Sequence, residues 1–478
     1  MRLKSYALGE WVEGTGKSAE LFHAVTGEVI GEASSGGLDF EAMAAYARAV
    51  GGPTLRKMTF HERALMLKAL AKYLMDRKEE FYAVSAATGA TRTDSWIDIE
   101  GGIGTLFSFS SRGRRDLPNE TFYVDGATEA LSKQGTFVGR HICVPLEGVA
   151  VHINAFNFPC WGMLEKLAPT LLAGVPAIVK PATVTSYLTE AMVRAMIESR
   201  ILPAGSLQLI CGSAGDLLSH LGLQDTVAFT GSAATGRMLK ESPAILGNAV
   251  RFNMEADSLN CSILGPDAVP GSEEFDLFVK EVAREMTVKA GQKCTAIRRT
   301  IVPAGTEEAV IKALTKRLAG VTIGDPAVEG VRMGPLASHA QVRDVAANAA
   351  KIRAAGEVVF GGGDFEVMGA DREKGAFFAP MLLSCAQPFT FSEPHDIEAF
   401  GPVNTVMPYS TLDDAIELAK LGRGSLCGSL FTADPKVARQ VILGVAPYHG
   451  RLLVLDRSSA KESTGHGSPL PNLVHGGR

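Results

Sequence analysis

The chain predicts an α/β fold with parallel sheets covered on both faces, and three observations carry that reading. From residue 148 onward, short apolar runs alternate with amphipathic helical stretches. A second unit of the same kind begins after Glu255. At 478 residues the chain is too long for one simple core, so two or three domains are expected.

In chain order, residues 57–90 read as helical, with Ala64, Leu65, Leu67, Leu70 and Leu74 on one side. Residues 117–147 fit neither unit. Thr121-Phe122-Tyr123-Val124 and the run from Gly135 to Ile142 look like a β-hairpin arm. Val149-Ala150-Val151-His152-Ile153, bounded by Gly148 and Asn154, reads as a strand. Pro159 suits the first turn of a helix running to about Leu172 and stopped by Gly174. Val175 to Val179 is the next strand, and Leu188, Met192, Val193, Met196 and Ile197 stripe the helix after it. Further strands fall at Leu207–Cys211, Val227–Phe229 and Cys261–Leu264. Parallel sheets of this kind bind nucleotides at the carboxyl ends of their strands. In the second unit Ser272, Glu273 and Glu274 open a helix in which Phe275, Phe278, Val282 and Met286 share a face, with acids where the helix dipole favours them. The tail from Asp456 is polar and rich in Gly, Pro and His.

Composition excludes several classes. Hydrophobic residues make up 46% and charged residues 21%, as in ordinary soluble globular proteins. A net charge of −5 and a pI near 6.1 argue against nucleic acid as a partner. The first residues lack the apolar core of a signal peptide. The longest apolar run, Leu167 to Val179, is broken by Pro169, Gly174 and Pro176 and is too short to span a membrane. Seven cysteines at wide spacings, with no CxxC, read as reduced thiols in a cytoplasm. Ten histidines show no HExxH spacing, so no metal is expected.

Chemistry concentrates in Gly291-Gln292-Lys293-Cys294-Thr295-Ala296-Ile297. A cysteine after a Gly-Gln turn can present its sulfur, and Glu255 in Phe252-Asn253-Met254-Glu255-Ala256-Asp257 can serve as a general base. Together they suggest covalent thiol chemistry followed by attack of water. Three strand-end segments precede the cysteine or accompany the acid: Asn154-Ala155-Phe156-Asn157-Phe158-Pro159, Lys180-Pro181-Ala182-Thr183, and Phe229-Thr230-Gly231-Ser232-Ala233-Ala234-Thr235-Gly236. Glu398-Ala399-Phe400-Gly401-Pro402-Val403 follows. There is no Gly-x-Gly-x-x-Gly. Taken alone, Gly231 to Gly236 is a strand-to-helix turn, whose Ser232 and backbone N–H groups could meet a pyrophosphate. Arg298 and Arg299 read as ordinary surface residues.

This ordered set resembles the aldehyde dehydrogenase superfamily over essentially the whole chain. Within it, the segments around His152–Met163, Met254–Asn260 and Ala460–Pro471 are similar to the aldehyde dehydrogenase part of the phenylacetate-degradation bifunctional protein and to a relative from benzoyl-CoA pathways. The resemblance implies an aldehyde dehydrogenase fold with a Rossmann-like cofactor domain (1–116 and 148–254), an α/β catalytic domain (255–434), a return segment (435–455) to the cofactor domain, and a β-hairpin oligomerisation arm (117–147 with 456–478). It implies a homo-oligomer, a dimer or higher. The hydratase-like domain of the bifunctional protein has no counterpart, and the missing final strand of the family favours a shortened chain over a stand-alone relative.

The resemblance also implies roles. Cys294 is the nucleophile, Asn157 and the Cys294 backbone N–H bind the oxyanion, and Glu255 activates water. Lys180 holds the adenosine ribose, Glu398 the nicotinamide ribose, and Phe400 packs near the nicotinamide. Phe156, Gly231, Ser232 and Gly236 complete the cofactor site. NAD-preferring relatives place a glutamate three residues after the lysine; here Thr183 stands there. A threonine hydroxyl can donate to a 2′-phosphate that a carboxylate would repel, so NADP is expected, with NAD as the alternative. Ala256-Asp257 stands where many relatives have Leu-Gly-Gly. The expected substrate is a small-molecule aldehyde, a semialdehyde carried on coenzyme A. The competing readings are a CoA-acylating dehydrogenase, against which Glu255 argues, and a general aldehyde dehydrogenase using NAD.

Overall fold

The computed structural model describes residues 2–468, which fall into two compact units. The first gathers the chain up to Phe22, Val29–Ser85 and Ser95–Met254. The second gathers His23–Glu28, Ala86–Asp94 and the chain from Glu255 on.

The first unit holds a seven-stranded sheet in the order Arg251–Ala256, Thr226–Gly231, Ala150–Ile153, Ala177–Lys180, Leu207–Leu209, Lys4–Ala7, Glu10–Glu13. The four strands from Thr226–Gly231 to Leu207–Leu209 are mutually parallel, and the two amino-terminal strands close the edge antiparallel. Val151, Ile178, Val179 and Leu209 are fully buried, as continuous apolar runs in a parallel sheet require. The helix expected from Pro159 begins instead at Trp161 and runs to Leu172. Asp98 sets that start, because its carboxylate accepts from the N–H groups of Cys160 (3.0 Å) and Trp161 (2.8 Å). The 57–90 stretch resolves into Phe60–Asp76, opened by a Thr59–Glu62 capping box, and Lys78–Ser85. Ala64, Leu67, Leu70 and Leu74 face the core there, but Leu65 does not: it is 51% exposed. Tyr123–Ala130 and Val138–Cys143 pair antiparallel as a separate two-stranded sheet.

The second unit holds another seven-stranded sheet, ordered Glu357–Phe360, Met381–Ser384, Val403–Tyr409, Arg299–Pro303, Cys261–Leu264, Ser425–Phe431, His449–Leu455. All neighbours are parallel except the first pair. The Glu273–Thr287 helix starts at Ser272, whose side chain accepts from the Phe275 N–H, and its Phe275, Phe278, Val282 and Met286 are buried as expected. Phe278 meets Phe431 edge-on at 5.5 Å. Residues 435–455 do not return to the first unit. They form the Pro435–Val445 helix and the His449–Leu455 strand, which extends the second sheet beside Ser425–Phe431. Residues 456–468 likewise pack into the second unit and form no arm strand: Arg457 grips Glu274 with two bonds of 2.8 and 2.7 Å, and His466 is buried. The rest of the expected arm, 469–478, lies outside the described residues.

Candidate active site

In the first unit the expected cofactor residues collect at one edge. Parallel strands put their carboxyl ends together, so Asn154–Asn157, Lys180–Thr183 and Gly231–Ser232 follow three adjacent strands. The backbone N–H of Asn154 donates to the Lys180 carbonyl at 3.0 Å, and the Thr185 hydroxyl to the Phe156 carbonyl at 3.0 Å. Asn157 is buried, and the backbone N–H groups of Cys160 and Trp161 at the start of the helix that follows donate to Asp98. Burial lowers the Lys180 ammonium pKa, and among the described residues Lys180 forms no ion pair. Thr183 opens a 3₁₀ turn with its hydroxyl 3.4 Å from the Gly212 carbonyl. Ser232 caps the Ala233–Lys240 helix, accepting from the Thr235 N–H at 3.3 Å. Gly236 has a packing reason as well: a Cβ there would lie 2.5 Å from Met254 Sδ.

In the second unit the residues gather at the opposite kind of edge. Cys294 precedes Arg299–Pro303, and Glu398 and Phe400 precede Val403–Tyr409; these strands are parallel, so this is the amino-terminal edge of the sheet, whereas Glu255 stands near the carboxyl end of the Arg251–Ala256 strand. The rule that points to carboxyl ends could not have found it.

Cys294 follows a strained turn. Lys289, Ala290 and Gly291 have φ of 56°, 51° and 68°, which costs non-glycine residues about 1 kcal/mol each. The turn is held from both sides: Asp94 accepts from the Lys289 N–H (2.8 Å), while Gln292 donates to the Lys289 carbonyl (3.1 Å) and accepts from the Ala337 N–H (3.0 Å). Gly291 is obligatory, because a Cβ would sit 2.4 Å from the Gly401 carbonyl oxygen.

Every carbonyl from Lys293 to Ile297 then accepts from a side chain rather than from a regular backbone ladder. Arg298 Nη2 donates to Lys293 O (3.3 Å), and Asn260 Nδ2 to both Cys294 O (2.7 Å) and Ala296 O (3.0 Å). Cys427 Sγ donates to Thr295 O (3.6 Å) and Asn404 Nδ2 to Ile297 O (2.8 Å). Buried peptide groups outside helices and sheets need such partners, and here they also fix the loop. Lys293 turns inward, with Nζ 2.7 Å from both oxygens of the buried Glu285. Cys294 itself stays partly exposed, whereas Cys160, Cys211, Cys261, Cys385 and Cys427 are buried and Cys143 lies exposed on the hairpin. Glu255, too, is half-exposed.

Arg298 and Arg299 are not surface residues; they are 5% and 0% exposed. Arg299 donates to the Leu259 carbonyl (2.9 Å) and to the Leu418 and Ala419 carbonyls (2.5 and 2.9 Å). Arg298 pairs with Glu398 (3.2 Å), donates to Gly401 O (2.6 Å) and lies 5.4 Å from the Phe400 ring centroid. Burial pushes the Glu398 carboxyl up to about 7 against the pull of Arg298, with Asp257 adding repulsion. Asp257 holds a φ of 28°, a conformation natural to glycine. Sequence reasoning gave no role to Asn260, Asn404, Cys427, His466 and Asp98, whose partners lie far along the chain. Only the neighbourhoods of Asn260 and His466 carried a signal, through the Met254–Asn260 and Ala460–Pro471 resemblances.

Comparison with known proteins shows the family and the fold. Residues 11–447 match the aldehyde dehydrogenase family. The chain is 45% identical to 3,4-dehydroadipyl-CoA semialdehyde dehydrogenase of Aromatoleum evansii over 479 aligned residues, covering 100% of this chain and 93% of that protein. Among solved structures, an NAD-dependent aldehyde dehydrogenase from Sinorhizobium meliloti superposes with a TM-score of 0.85 at 22% identity, covering 100% of this chain and 90% of the other. Betaine aldehyde dehydrogenase of Staphylococcus aureus, solved with NAD+, gives 0.81 at 24% identity, covering 95% and 86%.

Proposed function

The chain belongs to the aldehyde dehydrogenase family and is an oxidoreductase of aldehydes using NAD(P), and from that premise we propose that it oxidises a CoA-linked semialdehyde to the acid with NADP. The substrate class rests on the 45% identity, over the full chain, to a protein named for a CoA-linked semialdehyde. The observation that supports the chemistry is the Cys294 loop, in which Cys294 is partly exposed while five successive carbonyls are all held.

The cofactor residues fit a dinucleotide. Lys180, a cation with no ion pair among the described residues, ends the Ala177–Lys180 strand, and in the same sheet Thr226–Gly231 leads to the capped helix start at Ser232, where anions are favoured. Lys180, Thr183, Gly231, Ser232, Gly236 and Phe156 would hold the nucleotide, with Glu398 and Phe400 at its nicotinamide end. When bound, the nicotinamide supplies the hydride acceptor. In this reading the Cys294 thiolate adds to the aldehyde carbon, forming a C–S bond and an oxyanion. Asn157 and the Cys294 N–H donate to that oxygen, each donor contributing roughly 10²–10³ in rate. Loss of hydride from the carbon leaves a thioester on Cys294. Glu255 takes a proton from water, which attacks the thioester and releases the acid and the thiol.

The test is an assay of CoA-linked and free aldehydes with NAD and NADP. Wild type should form NADPH and a free carboxylate; Cys294→Ala should form none; Glu255→Gln should give a single stoichiometric burst. An acyl-CoA product, or better kcat/KM with NAD and simple aldehydes, would overturn the finer reading.

A further inference from the structure

After the last strand the chain re-enters the second unit at Ser463–Ser468. His466 is 2% exposed there, its backbone N–H donating to Glu281 Oε1 at 2.7 Å. Arg451 Nη2 donates to the Gly467 carbonyl at 2.8 Å. Gly467 passes so close to the nucleophile loop that a Cβ would lie 2.6 Å from Thr295 Oγ1. On the imidazole side, His466 Nε2 is 3.2 Å from Cys427 Sγ, which in turn reaches the Thr295 carbonyl, while the Cys427 N–H donates to Asn260 Oδ1 at 3.0 Å.

We propose that this tail segment is part of the active-site machinery, with His466 acting through Cys427 as a positioning residue for the loop that carries Cys294. The proposal rests on Cys294 being the nucleophile.

The chain of bonds has one polarity. Burial pushes the His466 imidazole down to about 3 and the Cys427 thiol up to about 12, so both are neutral under working conditions. A neutral imidazole carries one proton. His466 Nδ1 is buried without a hydrogen-bond partner among the described residues. Placing the proton on Nε2 lets it donate to sulfur and leaves the S–H to donate to Thr295 O. The other tautomer would orphan an Nδ1–H and draw the S–H away from Thr295 O, leaving two buried groups unsatisfied. Thr295 O is the middle one of the five held carbonyls. Without the imidazole N–H on the sulfur, the Cys427 thiol is free to turn about its Cβ–Sγ bond and no longer holds its S–H on Thr295 O, the loop's central tie; displacement of a reacting group by about 1 Å can cost roughly 10²-fold in rate.

The experiment compares His466→Leu with His466→Gln in the full chain, since glutamine Nε2 can replace the imidazole donor and leucine cannot. We expect His466→Leu to lower kcat roughly 10–100-fold, slow alkylation of Cys294 by iodoacetamide, and leave KM for the nucleotide unchanged, with His466→Gln restoring most of kcat. A wild-type kcat in His466→Leu overturns the proposal. So does equal loss in both variants accompanied by equal loss of Tm, which is what simple packing would give. If His466→Leu does not fold, Cys427→Ser should keep the kcat that Cys427→Ala loses; equal values in that pair overturn it as well. Turnover in Cys294→Ala would sink the nucleophile reading itself, whereas an inactive Cys294→Ala beside a normal His466→Leu sinks only the positioning role.

Discussion

The Asn260 side chain has two donor and two acceptor positions and uses all four: Cys294 O and Ala296 O on the amide nitrogen, the Ser258 hydroxyl and the Cys427 N–H on the oxygen. Asn260→Ala would leave buried groups unpaired at about 1–3 kcal/mol each. We expect urea unfolding to show a loss of at least about 2 kcal/mol, and steady-state assay to show a larger drop in kcat than in nucleotide binding. The proposed use of NADP makes Thr183 a second position to test. Replacing it with glutamate should lower kcat/KM for NADP roughly tenfold or more by charge repulsion while sparing NAD, which paired assays with the two nucleotides would read. The proposed roles of Cys294, Glu255 and Asn157 rest on residue type and order, which the sequence displays directly. Asn260, Arg298 and His466 were not legible in that way, because their meaning lies in partners such as Cys427, Glu398 and, again, Cys427, far off in the sequence.

Elements were legible where local chemistry sets them. Ser272 with its following acids announces a helix start, and the Glu273–Thr287 helix begins there; the 57–90 stretch, read as one helical run, starts instead at the Thr59–Glu62 capping box. The start at Trp161 escaped because its cap, Asp98, sits on another helix, Arg92–Arg115. Residues 435–455 were expected only as a return segment to the cofactor domain, whereas they extend the second sheet; periodicity says nothing of which sheet a parallel strand joins. The turn after that strand offers a test. The Arg457 guanidinium holds the Glu274 carboxyl down to about 2. A carboxyl depressed on folding adds stability above its unfolded pKa, near 4.5, and loses it as pH falls toward 2. Arg457→Ala should therefore melt below wild type at pH 7, with the gap closing between about pH 4 and 2; thermal melts across that range would show a pH-independent gap if the pairing contributed nothing.

For the molecule as a whole, the hairpin exposes Leu131, Phe137, Val138, Ile142 and Val144 at 50–66%. Such apolar surface on a two-stranded ribbon calls for cover, and we expect a second copy of the chain to supply it. Replacing residues 123–143 with a short polar linker should shift light-scattering mass toward the monomer; an unchanged mass would show that the hairpin is not the oligomer contact. No helix of the described residues is long and apolar enough to cross a membrane. The interleaving of the two units has its own outcome for biosynthesis. His23–Glu28 and Ala86–Asp94 leave the ribosome early, yet Ala24 bonds to Ala376 and Asp94 to Lys289. Those short stretches must wait for some two hundred residues or more of later translation before they find their partners, and closing such long loops is slow. Newly made chains thus pass through a period with Val25 and Ala90 uncovered, in which chaperone supply and growth temperature govern the yield of folded enzyme.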